Sequence, residues 1–480
     1  MNENGLGRYN RGGTSLLMLM VAGLLTLGPI CASVSEDLSN INADVIVEGD
    51  WLVTMQPGQA VIGDGAVAVK NGLIVAAGPR QRIATAFRAR RTIDGEGRVL
   101  LPGLVNAHTH AAMTLFRGFS DDKALMDWLE NYIFPAESAF VNDEFVRVGT
   151  TLACWEMIRS GTTTFVDMYF YPDVIAEIVD QCGLRAVIAP AIMDHPFPGS
   201  NGWQESFDIA VDFIKRWQGH ERIVPAFGPH APYTVSAEHL REVAVKAREL
   251  HVPVTIHLAE TKDEFAKIQS KYKLTPVQLL DEQGLLGPNL IAAHVIWADP
   301  ADIALLAARE VGVIHNPTSN LKLASGIAPV PAMLDAGIAV GLGTDGAASN
   351  NDLDLWEEIR LAALIHKAHN SDPKVIPALS ALRMATSSGA KAIGLGDEIG
   401  VLSVGRKADM IQLSLKNRPH AIPIFNIISH LVYSAKSSDV VTVMVDGKVL
   451  MENGQIATID EAMTLENVRT INHAITKTLP

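Results

Sequence analysis

The stretch Leu104-Val105-Asn106-Ala107-His108-Thr109-His110 decides how this chain is read. An apolar run ends in two histidines spaced two apart. On a strand, side chains alternate between faces, so His108 and His110 project from the same one, a geometry suited to gripping a single metal ion. Taken alone, the pair is an ordinary spacing. Three further segments share its form: VPVTIHLAET reaches His257, NLIAAHV reaches His294 and AVGLGTDGAASNN reaches Asp345. Runs of β-branched and small apolar residues mark parallel strands buried on both faces. In a barrel of such strands the C-terminal ends converge on one rim, so residues distant in sequence meet there.

Working outward, the strand candidates from Gly103 to about Gly400 are LVNAHTH, TTTFVDM, LRAVIAPAI, IVPAFGPH, VPVTIHLAE, LIAAHV, VGVIHNP and AVGLGTDG. They alternate with segments of helical periodicity such as NDEFVRVGTTLACWEMIRSG and SAEHLREVAVKARELH. This count predicts an α/β fold, a (β/α)8 TIM-type barrel over residues 103–400. A doubly wound sheet is the weaker alternative, because no Gly-rich phosphate loop follows the first strand. Both flanks read as short strands with turns. DVIVEGDWLVTM and GAVAVKNGLIVAAG carry an Asn71-Gly72 hairpin signal, and VVTVMVDGKVLMENG carries Asp446-Gly447. A small composite β-sandwich domain is expected from residues 34–102 and 401–480, with a terminal helix from Glu461 to Thr478.

The chain has 480 residues, 48% of them hydrophobic, enough for a large core and a smaller second unit. Its net charge of -14 argues against nucleic-acid binding, which needs a basic face. Arg8 and Arg11 precede an apolar stretch from Ser15 to Ile30 and the small residues Cys31, Ala32 and Ser33. That pattern predicts a signal peptide over residues 1–33 and an exported or periplasmic protein with no stable membrane insertion after leader removal. A non-functional leader would leave it cytoplasmic. Of the remaining cysteines, Cys154 and Cys182 sit in apolar helical contexts and read as two buried thiols rather than a bridge.

With His108, His110, His257, His294 and Asp345 at strand ends, the chain resembles the amidohydrolase superfamily. Within it, the motifs PGLVNAHTH, HLAET and GTDGAASNNDLDLWEE are most similar to the 5'-methylthioadenosine/S-adenosylhomocysteine deaminases, in the branch that also holds triazine hydrolases. The resemblance implies one divalent ion, Zn2+ or alternatively Fe2+, on His108, His110, His257 and Asp345. No lysine stands at the end of IVPAFGPH, so a lysine-carboxylate bridge between two metals is not expected. Such an ion leaves room for a water and lowers its pKa toward neutrality. The resemblance makes Glu260 the general acid/base toward a purine ring nitrogen, while His294 and Asp345 orient the nucleophile and the leaving amine. It implies a metal-dependent deaminase converting an adenosine derivative to its inosine-type product and ammonia.

On the substrate side the resemblance assigns Glu137 to the ribose hydroxyls, with charge-assisted bonds. It places Trp128, His230 and Ser349 beside the substrate as well. Relatives that hold the amino-acid tail of S-adenosylhomocysteine can use arginines after the third strand, yet no Arg occurs from Ala186 through Lys215, and His195 is the only potentially cationic group before Lys215 in the loop IMDHPFPGSNGWQES. Higher efficiency for 5'-methylthioadenosine than for S-adenosylhomocysteine is therefore expected. Two other readings are open: hydrolysis of a free purine base or chlorotriazine on the same metal platform, and an exported binding protein that kept the fold without chemistry. The β domain and terminal helix also offer surfaces for a homo-oligomer.

Overall fold

The structure, a computed structural model, describes residues 41–477, so the expected leader and the last three residues lie outside it. The first strands are β1 (Ile41–Val53), β2 (Val61–Lys70), β3 (Leu73–Pro79), β4 (Phe87–Ile93) and β5 (Arg98–Pro102). Asn71 and Gly72 take left-handed φ angles of 51° and 76° and turn β2 into β3, as the hairpin signal predicts. A helix at Arg80–Ala86 and the strand β4 after it carry no comparable sequence signal.

Parallel strands follow: β6 (Leu104–Thr109), β7 (Thr162–Tyr169), β8 (Arg185–Ile192), β9 (Ile223–Pro225), β10 (Gly228–Pro229), β11 (Val254–Leu258), β12 (Leu290–His294), β13 (Gly312–His315) and β14 (Val340–Leu342). Every residue of β6, β7 and β8 is buried, as strands covered on both faces require. The segment IVPAFGPH, expected as one strand, forms the two pieces β9 and β10. Pro225 and Pro229 lack the N–H that a continuous ladder needs.

Hydrogen bonding arranges these strands as two parallel sheets, β10-β8-β7-β6 with β9 on β8, and β11-β12-β13-β14. Backbone bonds join both pairs of edges. On one side Phe227 N donates to Pro253 O (3.0 Å) and Thr255 N to Phe227 O (2.9 Å). On the other, Asp345 N donates to His108 O (3.0 Å), and the Asn106 side chain exchanges bonds with Thr344 at 2.7 and 3.0 Å. Helices separate the strands, and their ends follow local chemistry. In Asp143–Ser160, Asn142 Oδ1 accepts from Phe145 N (3.0 Å), and the helix stops at Gly161 with φ 89°.

The C-terminal strands β15 (Met410–Ser414), β16 (Val440–Val445), β17 (Lys448–Glu452) and β18 (Gln455–Ile456) pair with the N-terminal ones. They make one nine-stranded sheet ordered β18-β17-β16-β15-β5-β1-β2-β3, with β4 on β1. The terminal helix runs from Glu461 to Thr476. Cys154 and Cys182 are both buried and free, as expected. Among the described residues no helix is long and apolar enough to cross a membrane.

Candidate metal centre and active site

The ends of β6, β11, β12 and β14 bring the expected residues together. His108, His257, His294 and Asp345 each offer a ligand atom, and these atoms all lie within 4.8 Å of one another. His110 stands against the same group, its Nε2 3.2 Å from His257 Nε2 and 3.1 Å from Asp345 Oδ1. His294 thus lies closer to the cluster than an orienting role alone would require.

The rings are fixed from behind. His110 Nδ1 is 2.6 Å from Met168 O, and His257 Nδ1 is 2.7 Å from His230 O. A carbonyl only accepts, so each Nδ1 carries the proton and donates it, leaving two Nε2 lone pairs that face each other. His108 is fully buried, and neither ring nitrogen makes a hydrogen bond. Opposed lone pairs, an orphaned buried imidazole and a carboxylate are unfavourable neighbours without positive charge among them. Although burial favours the neutral acid, His108 and His110 hold the Asp345 carboxyl well below the usual carboxylate range. Burial works against charge on His110 too, yet Asp345 pushes it up to about 9, so a proton on its Nε2 is one source of that positive charge, whereas burial lowers His108 to about 4. This donor set of imidazole nitrogens and one carboxylate fits a divalent ion of the zinc type.

Asp345 is fixed just as firmly. Its Oδ2 accepts from Ser319 Oγ (2.7 Å) and Ser349 Oγ (2.9 Å), and its Oδ1 from Gly346 N (2.9 Å). Ser349, expected beside the substrate, is buried behind Asp345 and is not among the cavity-lining side chains. His294 Nδ1 lies 2.8 Å from Asn320 Oδ1. Asp345, His294, Val295 and Ala259 all have left-handed φ, of 65°, 74°, 44° and 50°. Non-glycine residues hold such conformations only where their surroundings over-determine them.

A cavity opens above this cluster. Glu260, Glu137, Trp128 and His230 all line it, together with His110 and Asp345. Burial raises the Glu260 carboxyl above its ordinary pKa, and its Oε2 is 4.0 Å from His294 Nε2. Burial, opposed by the Tyr169 hydroxyl donating to Oε1 at 2.8 Å, raises Glu137 to about 7. His230, with Nδ1 2.9 Å from Thr234 Oγ1, is lowered to about 3, chiefly by burial, and stays a neutral imidazole.

The structure also reveals supporting residues that the sequence reading passed over. The Glu264 carboxylate accepts from Ala259 N (2.9 Å) and Glu260 N (2.7 Å), locking the turn that aims Glu260. Asp167, at the end of β7, accepts from Thr109 Oγ1 (2.9 Å) and Ala111 N (2.6 Å) and so brackets His110. Asp167 stands one residue from the end of TTTFVDM, much as His257, His294 and Asp345 stand near the ends of their own runs, so the same criterion applied to every strand finds it. Asn320 carries no such signal.

Comparison with known proteins agrees with this geometry. Residues 99–450 match the model of the amidohydrolase family. The chain is 47% identical over 438 residues to a 5-methylthioadenosine/S-adenosylhomocysteine deaminase of Syntrophobacter fumaroxidans, covering 91% of this chain and 100% of that one. It is 46% identical over 435 residues to a 5'-deoxyadenosine deaminase of Methanosarcina acetivorans, covering 89% and 97%. Among solved structures, a zinc-bound adenosine deaminase from Xanthomonas campestris superposes with TM-score 0.89 at 40% identity, covering 91% and 99%. A zinc-bound atrazine chlorohydrolase from Arthrobacter aurescens gives 0.82 at 25% identity, covering 89% and 100%. The fold, the cluster and these likenesses agree: the chain belongs to the amidohydrolase family, in its 5-methylthioadenosine/S-adenosylhomocysteine deaminase branch, and is a hydrolytic enzyme acting on a C–N bond.

Proposed function

We propose that the enzyme removes the amino group of an adenosine derivative such as 5'-methylthioadenosine, S-adenosylhomocysteine or adenosine, giving the inosine-type product and ammonia. The observation that carries this reading is the lining of one cavity by Glu260 at the histidine cluster and by Glu137 on the Tyr169 side. A purine nucleoside has a polar demand at each end, the amidine carbon and the ribose diol, and the two carboxyls answer both.

His108, His110, His257 and Asp345 would hold the ion, with His294 against them, and zinc suits these donors. A divalent ion held there would make water available as a nucleophile near neutral pH. Glu260, its pKa raised by burial, accepts the proton released from the attacking water and delivers it to the ring nitrogen beside the amidine carbon. The C–O bond forms, the added hydroxyl gives its remaining proton to the amino nitrogen, the exocyclic C–N bond breaks, and ammonia departs to leave the carbonyl of the inosine-type product. Neutral His230 hydrogen-bonds the base, Trp128 packs beside it, and Glu137 accepts from the ribose hydroxyls.

The same reading completes the architecture. The two parallel sheets close as a (β/α)8 barrel over residues 103–400, and the described flanks, residues 41–102 and 401–477, make a small composite β domain around their shared nine-stranded sheet. We propose the leader at residues 1–33 as an export signal, the mature enzyme acting outside the inner membrane as a homo-oligomer. Ammonia release from adenosine derivatives and free bases, using metal-replete enzyme with a Glu260→Gln control, tests the activity. Turnover of nucleosides, abolished in the variant, is expected; turnover of free bases alone would transfer the assignment to base hydrolysis.

A further inference from the structure

The motif GTDGAASNNDLDLWEE runs on past Asp345 and ends at Glu358, a carboxyl that the chemistry above leaves unused. Glu358 closes the first turn of the helix Leu355–Asn370, and that helix is itself anchored. Asp354 caps it by accepting from Trp356 N (2.9 Å), and the Trp356 indole donates to Ser160 O (2.8 Å). The Glu358 side chain is fully buried, and among the described residues no cation pairs with it. Burial pushes its carboxyl up to about 8, against the bonds donated by Thr318 and Asn350. A buried acid without a cation costs the fold stability.

Its two oxygens bridge two separate segments. Oε2 accepts from Thr318 N (3.1 Å), at the start of the helix Pro317–Lys322. Oε1 accepts from Asn350 Nδ2 (2.7 Å), and the same amide donates to Thr344 O (2.8 Å), closing the loop after β14. These two segments carry the groups that fix Asp345: Ser319 beside Thr318, and Gly346 and Ser349 inside the loop. Asn320, which meets His294 at 2.8 Å, follows in the same helix as Ser319. An apolar side chain at position 358 would fill the space at less cost. A carboxyl alone offers two acceptor oxygens in one rigid plane to donors on both segments.

We infer that Glu358 is a positioning residue of the metal centre: by holding Thr318 and Asn350 together it sets the Asp345 carboxylate and the His294 ring, and it governs metal affinity and the chemical step rather than substrate binding. This rests on the metal reading above and holds for any ring amine that the cavity takes. Glu358 does not line the cavity, so it acts through its two partners. Groups behind a ligand tune the centre because a ligand oxygen displaced by about half an ångström no longer meets the ion squarely.

The test measures zinc retention by the metal-replete full chain against a chromophoric chelator, beside kcat and KM for 5'-methylthioadenosine. Glu358→Ala is expected to weaken zinc binding about tenfold and lower kcat about tenfold, with KM within about twofold of the wild type. Glu358→Gln, which keeps one acceptor oxygen, should fall between the wild type and Glu358→Ala. Because Glu358 acts in part through Ser319, the two losses should not multiply. In zinc affinity, Glu358→Ala combined with Ser319→Ala is expected to fall about threefold or more short of the product of the single losses. Asn350→Ala removes one of the two bonds from its far side and should give the same signature at smaller size, and it serves if the Glu358 variants fail to fold. Zinc affinity and kcat unchanged in folded variants, a loss carried by KM alone, or losses that multiply fully would overturn the positioning role. A wild-type chain that retains no zinc would overturn the metal reading with it. One that retains zinc but releases no ammonia would overturn the nucleoside reading alone, and zinc retention would still decide on Glu358.

Discussion

Glu137 is a carboxyl whose protonation state sits at the edge of its task. Burial lifts it to about 7, with the Tyr169 hydroxyl pulling the other way, so at neutral pH it is divided between the acid and the carboxylate that a diol requires. The sign follows directly. An acid with a raised folded pKa binds its proton more tightly folded than unfolded, so its stability contribution falls as pH rises from about 4.5 to about 7 and is constant above. Ribose binding runs the opposite way, strengthening as the carboxylate forms. We expect KM for a nucleoside to fall as pH is raised from about 6 to about 8. In Glu137→Gln that dependence should vanish, and thermal melting should show the variant gaining on the wild type at pH 8 relative to pH 5. A KM that ignores pH in the wild type would remove Glu137 from ribose binding.

At the scale of elements, two short segments do most of the positioning. The helix Pro317–Lys322 supplies Ser319 to Asp345 and Asn320 to His294, and its last residue, Lys322, pairs with Asp121 at 2.6 Å. Asp121 precedes the run Leu125–Phe140, in which a short helix, a π-helical turn at Leu129–Ile133 and a second helix contribute Trp128 and Glu137 to the cavity. Single π turns recur at functional sites because the extra residue re-aims side chains. The pair therefore ties the substrate-covering segment to the helix behind the metal ligands. Lys322→Ala should raise KM about two- to fivefold with little change in kcat, the range of a partly exposed ion pair. About 0.5 M salt should reproduce part of that rise in the wild type and none in the variant. An unchanged KM would mean the pair has no part in covering the site.

Across the whole molecule, the first and last parts of the chain are locked to the catalytic strands by a buried ion pair. Arg185, at the start of β8, grips Asp409 with Nε and Nη2 at 2.8 and 3.2 Å, both side chains about 2% exposed. Asp409 precedes β15 and also accepts from Asp446 N (2.7 Å), so it joins the parallel strands to the nine-stranded sheet. Removing one partner strands a buried charge, which costs about 3–5 kcal/mol. Asp409→Asn should lose stability of that order in denaturant unfolding while the folded fraction keeps its metal content and KM. A variant as stable as the wild type would show that the sheet is held by its ladder and apolar contacts alone.

Much of this was legible in the chain itself. Local periodicity marked every parallel strand, because strands buried on both faces must be nearly all apolar, and a His or Asp closing such a run stands out. Two hairpins were equally plain, since Asn71-Gly72 and Asp446-Gly447 favour the positive φ that tight turns require. What local chemistry could not carry is distance. That Ser349 backs Asp345, that Glu264 clamps the turn bearing Glu260, and that the Tyr169 hydroxyl holds Glu137 depend on side chains meeting across separate strands and loops. The break in the fourth strand and the short strand β4 likewise reflect pairing partners. Sequence determined which groups are available and which strands carry them, because both are properties of residue type and period. Tertiary structure alone decided how those groups face one another, because orientation and burial arise only when side chains from separate strands pack together.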